Sequence, residues 1–510
     1  MSSRSMRKPS TESLHQCDYL IPHTTSYASD LAELVQVNEQ IGSLDNHIHR
    51  LTELRDTLRF RARQLQNLCS PVNTLPIEVL SHIFGLVVDP GLGSLHANRR
   101  SYTKCISKSL NLSSVSVHFR RAALATSELW NRVSLVITND TIDDLDDHVS
   151  MLQHCVAHSP CVNVIVRDEL VDMDASSTYD LLFPIEITSK VKTFSLEYSS
   201  GLKHWTEKLT ARSFPILDTL LLMGLKSGTS ININLDLRTL TSVTKLSLYG
   251  VYPDGPPILP PAVQVLYLDE MPHDLLTPSL HQCPNLVECK GNPSHGYHVQ
   301  IESPTPVILN DIKRLYWFVD RASSASSIQS FKLPSLEFLE LCYYDWSDMQ
   351  SAHLLCRDVS TTLTTLIFKM PCYHWKGNNL RQIHYMHQLF TLPFPRLETL
   401  EISDAECKKI IILDVIRALR LACVGCDPNR PYLPSLRSLT LGRSVGEDSF
   451  RLLLALLQEW RIGETSSFHI KVSSWRAFTK LDHAPQLQEE LVSVVGNRQI
   501  GMTWGRKELC

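Results

Sequence analysis

No stretch of this 510-residue sequence approaches eighteen consecutive apolar residues, so no membrane-spanning helix is expected. An excess of one charge is also lacking. The 49 Lys and Arg face 53 Asp and Glu, and a net charge of −4 supplies no basic face for nucleic acid. Cysteine is not concentrated: 14 thiols scattered through a long chain do not make the dense disulfide framework of a small secreted domain. Residues 1–17 carry charge but no apolar h-region, which argues against secretion. No Walker loop, no G-x-S-x-G and no G-x-G-x-x-G ahead of a helix occurs, so the common signatures of nucleotide and ester chemistry are missing. With 43% hydrophobic and 20% charged residues, the expectation is a soluble globular protein of roughly three domains. Reduced thiols point to the cytoplasm or the nucleus, with no membrane and no nucleic-acid partner.

Residues 1–29 are rich in Ser and Thr and are expected to be disordered. Over 30–69 the apolar residues alternate in steps of three and four. With Leu34, Ile41, Ile48, Arg55 and Ala62 at a positions, the d positions become Val37, Leu44, Leu51, Leu58 and Leu65, and only Arg55 interrupts the seam. Asp30 suits the N-cap, and Ser70 with Pro71 ends the helix. Such a seam needs a cover, either by folding back on the rest of the chain or by self-association as a homodimer. Arg55 disfavours tight homodimer packing unless it pairs with a carboxylate such as Glu53.

The stretch LPIEVLSHIFGLV, from Leu75, and VSVHFRRAALATSELW, from Val115, both carry apolar residues at helical spacing. Pro76 suits a first helical position, and Glu78 places negative charge in the first turn. Three short helices over about 55 residues bury a low fraction of their area, so the surplus apolar surface points to a partner. In pattern this stretch resembles the F-box, matching at Leu75, Pro76, Glu78, Val79, Leu80, Ile83 and Phe84, then at Val115, Phe119, Arg120, Ala123, Leu129 and Trp130. It departs at Ser116, where the family usually has Cys, and at Phe119, where it usually has Trp. The interval 88–111 is longer than usual and, with Gly91, Gly93, Arg99, Arg100 and Lys104, is expected to be a flexible basic loop. The resemblance implies docking onto the Skp-type adaptor of a cullin-based ubiquitin ligase. The adaptor-binding residues it implies are Leu75, Pro76, Ile77, Leu80, Ile83, Phe84, Val115, Phe119, Leu129 and Trp130.

Beyond Trp130 one hexapeptide pattern returns, apolar-x-x-apolar-x-apolar. Copies start at Val191, Leu217, Val243, Val263, Ile312, Leu336, Leu363, Leu397 and Leu436, with a weaker one at Leu286. Early steps of about 20 to 27 residues fall in the range of leucine-rich repeats, and the last two lengthen to about 34 and 39. No single unit can bury its own leucines, whereas stacked units make a continuous core. A proline signal opens four copies, at Phe214, Leu333, Phe394 and Leu433. The asparagine common after the leucines is mostly missing, so the array resembles the degenerate repeats often attached to fungal-type F-box proteins. Strands at 133–138 and 162–167 flank a helix at 143–157, and a second helix is expected at 410–422. Final strands and a helix at 487–495 are expected to close the array.

The expected fold class is therefore α/β, with 1–29 disordered, a heptad helix at 30–69, a three-helix F-box at 70–133, and an irregular leucine-rich-repeat solenoid at 134–510. The function expected is that of a substrate-recognition subunit of an SCF-type ligase, which performs no bond chemistry itself. Its partners would be the adaptor, through it a cullin, and a target protein whose binding residues the sequence does not identify. A non-catalytic F-box scaffold acting without ubiquitin ligation is the alternative. No cofactor or metal is expected: Cys423 and Cys426 form a lone C-x-x-C, His384 and His387 lack a Glu at motif spacing, and the run Asp140, Asp143, Asp144, Asp146, Asp147 lacks the Gly and Glu of a calcium loop.

Overall fold

A computed structural model describes residues 24–88, 102–138, 145–169, 180–199, 202–211, 214–224, 234–271, 273–293, 307–319, 331–343, 349–370, 380–404, 410–424, 433–442, 447–459, 468–472, 500–504 and 507–509, with single positions at 486, 489 and 493. Most of the segment expected to be disordered, the acidic residues Asp140, Asp143 and Asp144, Cys426, and nearly all of the helix expected at 487–495 lie outside those residues.

The chain is α/β. Helix α1, Thr24–Leu68, runs unbroken for 45 residues because nothing in it interrupts the backbone ladder before Ser70 and Pro71. Three short helices follow: α2 (Ile77–Val88), α3 (Tyr102–Val115) and α4 (Val117–Ala125). Helix α3 replaces part of the basic loop expected at 88–111. Its polar, Ser-rich sequence hides the helix, which packs on α4 and on the first strand instead of displaying a strong apolar stripe of its own.

Among the described residues, the rest is built on one 15-stranded sheet in which spatial order follows chain order. It begins with β1 (Arg132–Ile137) and β2 (Val162–Asp168), joined through α5 (Leu145–His158). It continues through β3 (Val191–Ser199), β4 (Thr219–Gly224), β5 (Lys245–Tyr249), β6 (Val265–Met271) and β7 (Glu288–Pro293). After β8 (Val307–Ile308) come β9 (Arg314–Val319), β10 (Phe331–Lys332), β11 (Phe338–Tyr343), β12 (Thr365–Met370) and β13 (Thr399–Asp404). The last strands are β14 (Ser438–Leu441), β15 (Phe468–Val472), β16 (Ile500–Trp504) and β17 (Lys507–Leu509). Strands β8 and β10 pair separately; in the large sheet every pair is parallel except the final β16–β17.

Each hexapeptide copy ends on one of these strands, and the register aligns equivalent residues. Leu220, Leu246, Leu266, Cys289, Leu315, Leu339, Leu366, Leu400 and Leu439 are successive partners along the sheet, and all are buried. The proline signals make tight turns: Leu217, Leu336, Leu397 and Leu436 each donate a backbone hydrogen bond to the residue three earlier, Phe214, Leu333, Phe394 and Leu433, at 3.1–3.4 Å. The weak copy is repaired from its neighbour. Gly291 stands where other copies carry a large side chain, and the ring of Trp317 on β9 fills the space, so a Cβ on Gly291 would meet Trp317 Cζ3 at 2.5 Å. Trp317 in turn packs edge-on against Phe331, with centroids 5.1 Å apart.

Hydrophobic packing is continuous from Leu80 in α2 to Ile470 in β15. Helix α1 takes no part in it. Its seam residues are open to solvent, Leu44 and Leu51 each at 63%, so the fold-back alternative for the heptad segment is not what the chain adopts.

Candidate docking site

The geometry of the helical unit starts at its turns. After the 3-10 turn Pro71–Thr74, the backbone N–H groups of Val79 and Leu80 both donate to the Pro76 carbonyl at 3.1 Å, which opens α2 with Glu78 in its first turn. Ser116 caps α4: its backbone is extended (φ −157°, ψ 168°), its hydroxyl accepts from the Phe119 N–H at 3.1 Å, and the same hydroxyl donates to the Asn73 side-chain oxygen at 3.3 Å. Serine where the family pattern has cysteine is thus a helix cap here. His118 Nε2 lies 3.0 Å from the Leu75 carbonyl, a second tie between α4 and the entry to α2.

Helix α2 has three faces. At 100° per residue, Leu80 and Phe84 fall on the inner one, where both are buried and Phe84 meets Phe119 at a centroid distance of 5.2 Å. Glu78, Ser81 and His82 form a polar face. Val79, Ile83 and Leu86, spaced i, i+4, i+7, form an outer apolar stripe with Val87 beside it, and all four are exposed. Leu86 is 69% exposed, and Val117 at the start of α4 is 67% exposed. A stripe of this size facing water on so short a helix is the kind of surface that marks an interaction site.

The ten residues expected to contact an adaptor therefore divide. Pro76, Ile77, Ile83 and Val115 are exposed, and Leu75 and Phe119 are half-buried against the core. Leu80, Phe84, Leu129 and Trp130 are instead buried within this chain, each 2% exposed or less. Trp130 closes the unit from inside. Its Nε1 donates to the Ala123 carbonyl at 2.7 Å, and its ring stands edge-on to His154 of α5 at 4.9 Å, joining the helices to the first β-α-β turn of the sheet. Ser109 reinforces this floor by donating to the Leu129 carbonyl at 3.0 Å. Val79, Leu86, Val87 and Val117, outside that set of ten, are exposed as well. A second apolar stripe on α2 is the signal that identifies them.

A second surface is the outer face of the sheet, where the side chains between the buried leucines project. Tyr267 donates to Glu288 at 2.6 Å, Lys369 pairs with Glu340 at 2.7 Å, and the Tyr316 ring lies tilted against Phe338 with centroids 4.9 Å apart. Burial and the Glu288 hydrogen bond push the Tyr267 phenol well above its usual range, so it stays a neutral donor. This face carries both charge signs and half-buried aromatic rings.

The other candidates stand apart. Cys423 lies at the end of the helix Ile410–Val424, its thiol 3.9 Å from the Glu459 carbonyl. His384 is exposed on the helix Leu380–Phe390 and sits 2.9 Å from Gln388 Nε2. Asp146 and Asp147 occupy the first turn of α5. Among the described residues no group of three or more His, Cys, Asp or Glu side chains is placed to hold a metal, and no helix is long and apolar enough to cross a membrane. No protein-family model matches the chain, and no curated protein matches it.

Proposed function

We propose that this protein is a substrate-recognition subunit of an SCF-type ubiquitin ligase, with residues 70–133 acting as an F-box and the sheet that follows acting as an irregular leucine-rich-repeat solenoid. The observation that carries the reading is the outer stripe of α2. The segment resembling the family's first helix keeps Leu80 and Phe84 for its own core and leaves Val79, Ile83 and Leu86 open, as a helix that docks on a second protein requires. The chain-ordered parallel sheet and its ladder of buried leucines support the solenoid part of the reading. The outer sheet face, with Tyr267, Tyr316 and Phe338, offers the target-binding surface.

In this role the chain breaks and makes no bonds. It holds a target near a conjugating enzyme and so converts an encounter between separate molecules into one within a complex, which raises effective concentration. The join through Trp130 matters for that, because a stiff link between docking helices and sheet fixes the distance across which transfer occurs. Co-purification with a Skp-type adaptor and, through it, a cullin tests the reading. Recovery of both is expected; recovery of the adaptor without cullin would favour the scaffold alternative, and recovery of neither would reject the assignment.

A further inference from the structure

Helix α1 is a 45-residue rod, about 68 Å long at 1.5 Å per residue, with its apolar seam uncovered and none of its described side chains in the hydrophobic core. Its charge is divided along its length. Residues 30–49 carry Asp30, Glu33, Glu39 and Asp45 with no Lys or Arg, a charge of −4. Residues 50–68 carry five arginines against Glu53 and Asp56, a charge of +3. The helix dipole favours this polarity only in the first and last turns, whereas Asp45, Arg50 and Arg55 lie in the middle of the rod.

We propose that α1 pairs with α1 of a second copy of this chain, and that the two helices run antiparallel. In a parallel pair a positions face a positions, so the two Arg55 side chains would meet in the seam and the two +3 halves would lie side by side. Reversing one helix sets a against d and lays the acidic half of each copy on the basic half of the other. The register that overlaps the full seam layers Leu34 on Leu65, Val37 on Ala62, Ile41 on Leu58, Leu44 on Arg55 and Ile48 on Leu51. Arg55, now bonded to Asp56 of its own helix at 3.0 Å, then lies beside Asp45 of the other copy, which places its charge opposite a carboxylate. Because α2 follows the C-terminal end of each rod, the two docking helices emerge at opposite ends, separated by roughly the rod's length. The pairing is independent of what α2 binds.

The same register brings Asp30 of one copy opposite Cys69 of the other, an exposed thiol immediately after α1. Light scattering on the full chain at tens of micromolar should report twice the chain mass; a single-chain mass overturns the proposal. Under mild oxidation, Asp30→Cys should give at least tenfold more covalent dimer on a non-reducing gel than the unaltered chain, and the added Cys69→Ser change should abolish it. A covalent dimer that survives in Asp30→Cys with Cys69→Ser, or one that the unaltered chain forms through Cys69 alone, would mean a parallel pair and would overturn the orientation.

Discussion

Gly291 and Trp317 show how far one residue can be set by its neighbour in the sheet. The Trp317 ring occupies the volume that a side chain at 291 would need, and Phe331 backs the ring, so the ring has little room to withdraw. Gly291→Ala should destabilise the chain by about 1–3 kcal/mol through overpacking, read as a lower midpoint in urea with an unchanged slope. Phe84 and Trp130 are floor rather than surface. Phe84→Ala and Trp130→Ala should each cost about 3–5 kcal/mol of folding stability, measured by denaturant unfolding, and any loss of partner binding should follow that unfolding. Burial pushes the Cys155 and Cys283 thiols up to about 12. At pH 8 almost no thiolate is present there, so peptide mapping after alkylation should find exposed Cys69 modified while Cys155 and Cys283 react only on unfolding or at strongly alkaline pH.

At the scale of elements, the strands were legible and the packing of the helices was not. The hexapeptide copies are local signals: leucines two apart after a turn make a strand wherever they sit, and the proline signals became the turns that precede β4, β11, β13 and β14. Even the weak copy at Leu286 formed β7, although its Cys289 and Gly291 gave little sign of how Trp317 would complete it. Helix α3 was hidden because its burial is supplied by α4 and β1 rather than by its own periodicity. Which face of α2 turns inward depends on Phe119 and on the helices around it, so the motif indicated a helix without separating Leu80 from Ile83. Ser116 is the instructive case: read as a departure from a pattern, it is the cap of α4. Ser116→Ala should cost about 1 kcal/mol, and Ser116→Asp, which keeps an acceptor for the Phe119 N–H, should recover most of it in thermal unfolding.

For the whole molecule, one core joins α2 to β15, so the short helices and the sheet behave as parts of a single packed body. The exposed rod α1 is separate from that core and gives the chain its second apolar surface. The stripe on α2 and the apolar seam of α1 with its flanking charges are separate surfaces, and they can serve two partners without competing. The most direct test of the central claim is the affinity of a purified Skp-type adaptor for this chain and for its Ile83→Asp variant, measured by calorimetric titration with unfolding midpoints taken alongside. The exposed stripe predicts affinity at least tenfold weaker in the variant with an unchanged midpoint. Equal affinity for the two proteins, or no binding to the unaltered chain, would contradict it.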